Sequence, residues 1–140
     1  MKTEFPHYQQ SHDMACGPTC LKMIAAYYGI SFEPEKMRTW KNVQENGTTL
    51  LEISDEAKKL GLRSVGLSVR LDELAKLKLP VIVHWNHNHF VVLVHIEKNA
   101  FYVADPASEL MELSKQEFLD QCTKSRLTLL AFSKPKVKEK

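Results

Sequence analysis

The hydrophobic period of this sequence changes partway along the chain, and that change bounds the folds open to it. From Gly17 to Tyr28, the residues Cys20, Leu21, Ile24, Ala25 and Tyr28 recur at steps of three and four, the spacing of one buried helical face. The later segments Pro80 to Trp85, His89 to Ile96, Ala100 to Ala104 and Leu127 to Phe132 are instead rich in Val, Ile, Phe and Tyr, which favours strands. Ser64 to Val69 adds a further strand. Helices first and an antiparallel sheet afterwards reads as an α+β domain.

Local signals set the ends of these elements. Pro18 suits the first turn of the first helix and Gly29 its C′ position. A helical turn around Glu35 to Trp40 follows, and Asn46-Gly47 marks a turn. Thr49 with Glu52, and Ser114 with Glu117, have the spacing of capping boxes. The first opens a helix through Leu60 that Gly61 closes, and the second opens a helix carrying Phe118 and Leu119. A short amphipathic helix is expected over Leu71 to Leu77. No internal repeat or low-complexity segment is present.

With 140 residues, 44% of them apolar, the chain can bury one core without staples or metals. One domain is expected over residues 1–133, followed by a basic tail or linker, 134–140, that carries Lys134, Lys136, Lys138 and Lys140. Such a tail suits a solvated end, or chain that continues toward anionic headgroups and a membrane. The apolar runs fall far short of the roughly 20 residues of a spanning helix, and the first eight residues lack the apolar stretch of a secretory signal. A formal charge of +2, dispersed along the chain, argues against a nucleic-acid partner. Three cysteines, two of them one helical turn apart, fit a reducing compartment better than a disulfide framework.

The chemistry centres on Cys16. A cysteine is a nucleophile as its thiolate, and a helix N-terminus or an imidazolium favours that form. Cys16 stands where the first helix should begin, with Gly17 allowing a tight entry. Cys20 and Cys122 read as packing residues. Among six histidines, His89 opens a strand, where a side chain is both firmly held and open to substrate. His7 and His12 have no evident orienting partner, and His84, His87 and His95 read as core-edge or surface residues. Asp105, before Pro106, is the candidate to orient the imidazole. If the hairpin loop is Glu97-Lys98-Asn99, Val91 pairs with Asp105 and the aspartate shares the face of His89; a two-residue loop turns it away. Gln10 could supply an amide beside the Cys16 N–H for a developing oxyanion.

Gln10, Cys16-Gly17-Pro18-Thr19-Cys20, Tyr27-Tyr28-Gly29, His84-Trp85-Asn86, Asn88-His89-Phe90-Val91-Val92 and Asp105-Pro106-Ala107 together resemble the C39 peptidase domain. That domain stands at the N-terminus of peptidase-containing ABC transporters that export bacteriocins and related peptides. The resemblance covers about residues 5–132. It implies a papain-like cysteine peptidase fold and cleavage of a leader peptide after a double-glycine motif, with no cofactor and no metal. Carried over residue by residue, Cys16 matches the nucleophile, His89 the base, Asp105 the orienting acid and Gln10 the oxyanion-hole amide. The implied partners are a precursor peptide with an amphipathic helical leader ending in Gly-Gly, and the transmembrane and nucleotide-binding domains of a transporter, in the same or a separate chain. The implied location is the cytoplasmic side of the bacterial plasma membrane, with the isolated domain soluble and monomeric. In one departure, Ala15 stands where many members carry an acid, and Asp13 lies two positions earlier.

Three other readings compete. A zinc site could draw on Cys16, Cys20, His84, His87 and His89, although no Cys-x-x-Cys pair is present and a domain of this size needs no structural metal. A non-catalytic module could hold an exporter's cargo by its leader without cutting it. A papain-like site could also serve another acyl transfer, such as transamidation.

Overall fold

The computed structural model describes residues 4–85, 89–122 and 126–134. His87, Asn86, Asn88 and the tail lysines beyond Lys134 lie outside the described residues. The chain runs α1 (Cys16–Tyr27), a 3-10 turn (Pro34–Lys36), α2 (Trp40–Asn46), α3 (Leu50–Lys59) and β1 (Arg63–Arg70). It continues through a 3-10 helix (Leu71–Lys76), β2 (Val81–Trp85), β3 (His89–Glu97), β4 (Ala100–Ala104), β5 (Leu110–Ser114), α4 (Lys115–Asp120) and β6 (Arg126–Ser133). The architecture is the expected α+β. The six strands form one antiparallel sheet in the order β1-β6-β2-β3-β4-β5.

Period-two alternation divides the strand residues between two cores. Ile82, Phe90, Val92, Val94, Tyr102 and Leu130 face α1 and α3, where they meet Leu21, Met23, Ile24 and Ile53. Val81, Val83, Val91, Leu93, Val103 and Leu129 face Phe118 of α4 and Leu74 of the 3-10 helix. The sheet is thus covered on both faces at its centre, so β2 and β3 read as nearly continuous apolar runs.

Both capping boxes form: Thr49 and Glu52 exchange bonds at the start of α3, and Ser114 and Glu117 at the start of α4. Gly29 and Gly61 follow their helices with φ of 77° and 87°, the left-handed conformation that ends a helix at little cost to glycine. Two expectations need correction, and one strand is new. The turn expected over Glu35 to Trp40 divides into the Pro34–Lys36 turn and a separate helix, α2, that begins at Trp40. The helix expected over Leu71 to Leu77 is a 3-10 helix. The strand β5, Leu110–Ser114, was not foreseen; it is a sheet edge with no buried residue, so it lacks the apolar signal of the inner strands. Among the described residues, no helix is long and apolar enough to cross a membrane.

The β3–β4 hairpin corrects one step of the reading and keeps its outcome. Glu97 pairs with Ala100, so the loop is the two residues Lys98-Asn99, with Lys98 at φ 57°. That loop alone would turn Asp105 away from His89. The register, however, shifts between Leu93 and His95, where Val94 is the extra residue of a β-bulge. Beyond the bulge Val92 pairs with Ala104, the register a three-residue loop would have produced.

Candidate active site

Cys16 is the first residue of α1, buried at 7% exposure, with Ala15 as an N-cap that makes no side-chain bond. The amides of the first turn therefore lack a capping side chain, and the partial positive charge of the helix start falls on the thiol. Gly17 is buried beside it: a Cβ there would lie 3.0 Å from Ile53 Cδ1 and 3.2 Å from Thr48 Cβ. The helix start packs this closely under the α2–α3 connection because residue 17 has no side chain.

His89 opens β3 opposite Trp85 of β2. Its Nε2–H donates to Asp105 Oδ1 at 2.7 Å, which leaves Nδ1 for the Cys16 thiol within hydrogen-bonding reach. The same Asp105 oxygen accepts the Ala107 N–H at 2.8 Å, a bond that fixes the carboxylate in the turn after β4. The Asp105 hydrogen bond, then that of Cys16, holds the His89 imidazolium up to about 9, against an opposing effect of burial. For Asp105, burial pushes the carboxyl up, but the bonds from His89 and Ala107 outweigh it and the net direction is downward. The pair is thus arranged as imidazolium and carboxylate at neutral pH.

Cys20 lies one turn along α1, fully buried. Burial first, then the charges of Cys16 and Asp105, push its thiol well above the ordinary range, so it stays protonated as a packing residue. Cys122 is half-buried, its thiol pushed up to about 11 by burial, and it bonds Phe118 O at 3.4 Å.

Gln10 is held by its backbone N–H to Pro106 O at 2.8 Å, in the turn that carries Asp105. Its Nε2 donates one hydrogen to His12 O at 2.9 Å and keeps a second. Its Oε1 is buried with no hydrogen-bond partner among the described residues. The site faces a cleft of about 650 Å³ whose walls include Cys16, His89, Asp13, Met14, Thr48 and Leu50.

The structure therefore brings Cys16, His89 and Asp105 into one chain of contacts and ties Gln10 to the same turn. The other histidines separate. His84 lines the cleft, stacked on Phe90 at 4.7 Å. His12 Nδ1 accepts the Met14 N–H at 3.3 Å, and its ring meets Trp40 edge-on at 5.1 Å. His95 lies 3.4 Å from Glu97. The sequence reading missed the cleft wall at Gly47-Thr48-Thr49 and the partner of His7, the Asp105 carbonyl, at 2.8 Å. The Asn46-Gly47 turn was the one local signal of that wall.

The sequence matches the model of the Peptidase C39 family over residues 4–135. It is 38% identical over 112 residues to the colicin V secretion/processing ATP-binding protein CvaB of Escherichia coli, a match covering 80% of this chain. It is 31% identical over 116 residues to the pediocin PA-1 transport/processing ATP-binding protein PedD of Pediococcus acidilactici, covering 77% of this chain. The matches take in 16% of the length of each relative. Among solved structures, a double-glycine-motif protease from an AMS/PCAT transporter, crystallised with its leader peptide, superposes with a TM-score of 0.77 at 28% identity. That superposition covers 94% of this chain and 93% of the other. The peptidase domain of Streptococcus ComA superposes with a TM-score of 0.78 at 25% identity, covering 91% and 98%. The architecture shared with these domains is the papain-like fold.

Proposed function

The chain belongs to the peptidase C39 family, and we propose that it is a cysteine peptidase that cuts the leader from an exported precursor peptide after a Gly-Gly pair. The observation that carries this reading is the contact chain from Cys16, at the start of α1, through His89 to Asp105. Family membership and the likeness to a double-glycine-motif protease supply the substrate class.

In this mechanism the Cys16 thiolate forms a bond to the carbonyl carbon of the second glycine, and the carbonyl electrons move onto oxygen. The second Nε2 hydrogen of Gln10 and the Cys16 backbone N–H hold that oxyanion. As the C–N bond breaks, His89 gives its Nδ1 proton to the leaving amine. Water, losing a proton to the same nitrogen, then opens the thioester and frees the leader carboxylate. Asp105 keeps Nε2 of His89 protonated throughout, so that Nδ1 always faces the sulfur. Residues without a Cβ suit a narrow approach to Cys16, which is the steric basis of Gly-Gly selection.

The leader docks as an amphipathic helix, the helix-in-groove mode. The domain serves the transmembrane and nucleotide-binding parts of an ABC transporter, on the cytoplasmic face, as its relatives' role in secretion and processing suggests. The test is cleavage of a synthetic leader peptide ending in Gly-Gly plus a short cargo, with the new termini read by mass spectrometry. Cleavage is expected after the second glycine and is lost when that glycine becomes alanine. Cleavage elsewhere, or equal cleavage of the alanine peptide, would refute the reading.

A further inference from the structure

A short N-terminal strap runs along the turn that carries Asp105. His7 Nε2 bonds the Asp105 carbonyl at 2.8 Å, Gln9 Nε2 donates to Ser108 O at 3.0 Å, and the Gln10 N–H donates to Pro106 O at 2.8 Å. A carbonyl only accepts, so Nε2 of His7 carries a hydrogen. The carbonyl that receives it also takes the Ser108 N–H at 3.1 Å. On its other side, the carboxylate of the same residue receives His89 and Ala107. Asp105 is thus gripped through both backbone and side chain. The strap that grips its backbone is the segment that presents Gln10, and its His7 lies 98 positions before Asp105 in the chain.

We propose that His7 is a positioning residue of the peptidase site, whose bond to the Asp105 carbonyl fixes the orienting acid of His89 and the amide of Gln10 relative to each other. The inference rests on the roles given above to Asp105 and Gln10. Two residues, Tyr8 and Gln9, separate His7 from Gln10, three Cα-to-Cα steps with a reach of about 10 Å. The Gln9 and Gln10 bonds tie the strap to Ser108 and Pro106, and the His7 bond adds the one tether made to Asp105, so it sets the strap's position against the orienting acid. The charge of His7, where protonated, also favours the ionised Asp105 carboxyl. The titratable groups around the pair are Cys16 against His89, Cys20 beneath Cys16 and Asp105, and His84 and Asp13 in the cleft wall. Within the strap, only His7 bonds Asp105 itself.

The test compares His7→Ala, His7→Gln and Gln9→Ala in the whole chain, by peptide cleavage and by NMR titration of the His89 imidazole, which needs no substrate. His7→Ala is expected to lose roughly tenfold or more in kcat with KM within about twofold, the signature of misplacement at the reacting centre. It is also expected to lower the His89 titration below its wild-type position. His7→Gln keeps a side-chain N–H donor and should restore most of both. Gln9→Ala, which removes an exposed strap bond that does not touch Asp105, should stay within about twofold of wild type. Unchanged kcat and His89 titration in His7→Ala would overturn the proposal, as would equal losses in His7→Ala and Gln9→Ala. If wild type cuts no Gly-Gly peptide while His7→Ala still lowers the His89 titration, the peptidase reading fails and the positioning of Asp105 stands.

Discussion

His89 and Asp105 meet at 2.7 Å, the imidazole at the first residue of β3 and the carboxylate just past the end of β4. The carboxylate fixes which ring nitrogen bears the hydrogen, and so which nitrogen faces Cys16. The contact therefore governs protonation as much as position.

Activity should fall on the alkaline side as His89 loses its proton, with a limb near 9. Asp105→Asn removes the first cause of that elevation, and the limb should move down toward the ordinary histidine range. A pH profile of kcat/KM for both proteins measures this; coincident alkaline limbs would contradict it. Stability follows from the same shifts. Folding raises His89 from 6.5, so its contribution is complete below that value and is lost as pH climbs through about 9. Folding lowers Asp105 from 3.8, so its contribution is present above that value and is lost as pH falls into the acid range. Urea midpoints should decline on both sides of this window, and less steeply in Asp105→Asn.

Gly17→Ala opposes two effects. Alanine gains up to about 1 kcal/mol of helix propensity over glycine. The new Cβ, 3.0 Å from Ile53 and 3.2 Å from Thr48, adds a methyl to a filled interface at about 1–3 kcal/mol. Overpacking should win, lowering the urea midpoint and displacing the Thr48 wall of the cleft, so KM should rise. A midpoint at or above wild type would show that the α2–α3 connection yields without cost.

Gln10→Ala removes one oxyanion donor and should cost about 10²–10³ in kcat. The His89–Asp105 bond does not involve the Gln10 side chain, so the NMR titration of His89 should stay in place. A kcat within tenfold of wild type would remove Gln10 from the oxyanion site.

What the sequence disclosed were features decided within a few residues. The capping boxes at Thr49 and Ser114, the left-handed Gly29 and Gly61, and the buried face of α1 all depend on neighbours along the chain. Cys16 and His89 were legible for the same reason, one at a helix start and the other at a strand start. Asp105 was reached by a register argument conditional on a three-residue loop, and the loop has two residues. The bulge at Val94 restored the register, and a bulge is set by sheet packing, which no local pattern reports. The hidden features join distant parts of the chain: β6 inserted between β1 and β2, the edge strand β5, and the strap from His7 to Gln10 against residues 105–108. His7 had no partner in view because its partner is a backbone carbonyl 98 residues away.

The most direct test of Cys16 as the peptidase nucleophile is cleavage of a Gly-Gly leader peptide by wild type beside Cys16→Ala, followed by mass spectrometry. Wild type is expected to release a leader ending in the second glycine and Cys16→Ala none, with both proteins folded by circular dichroism. Cleavage that persists in Cys16→Ala would contradict that role, because no other thiol of the chain is placed to serve: Cys20 is buried and held protonated, and Cys122 bonds α4 on the opposite side of the sheet.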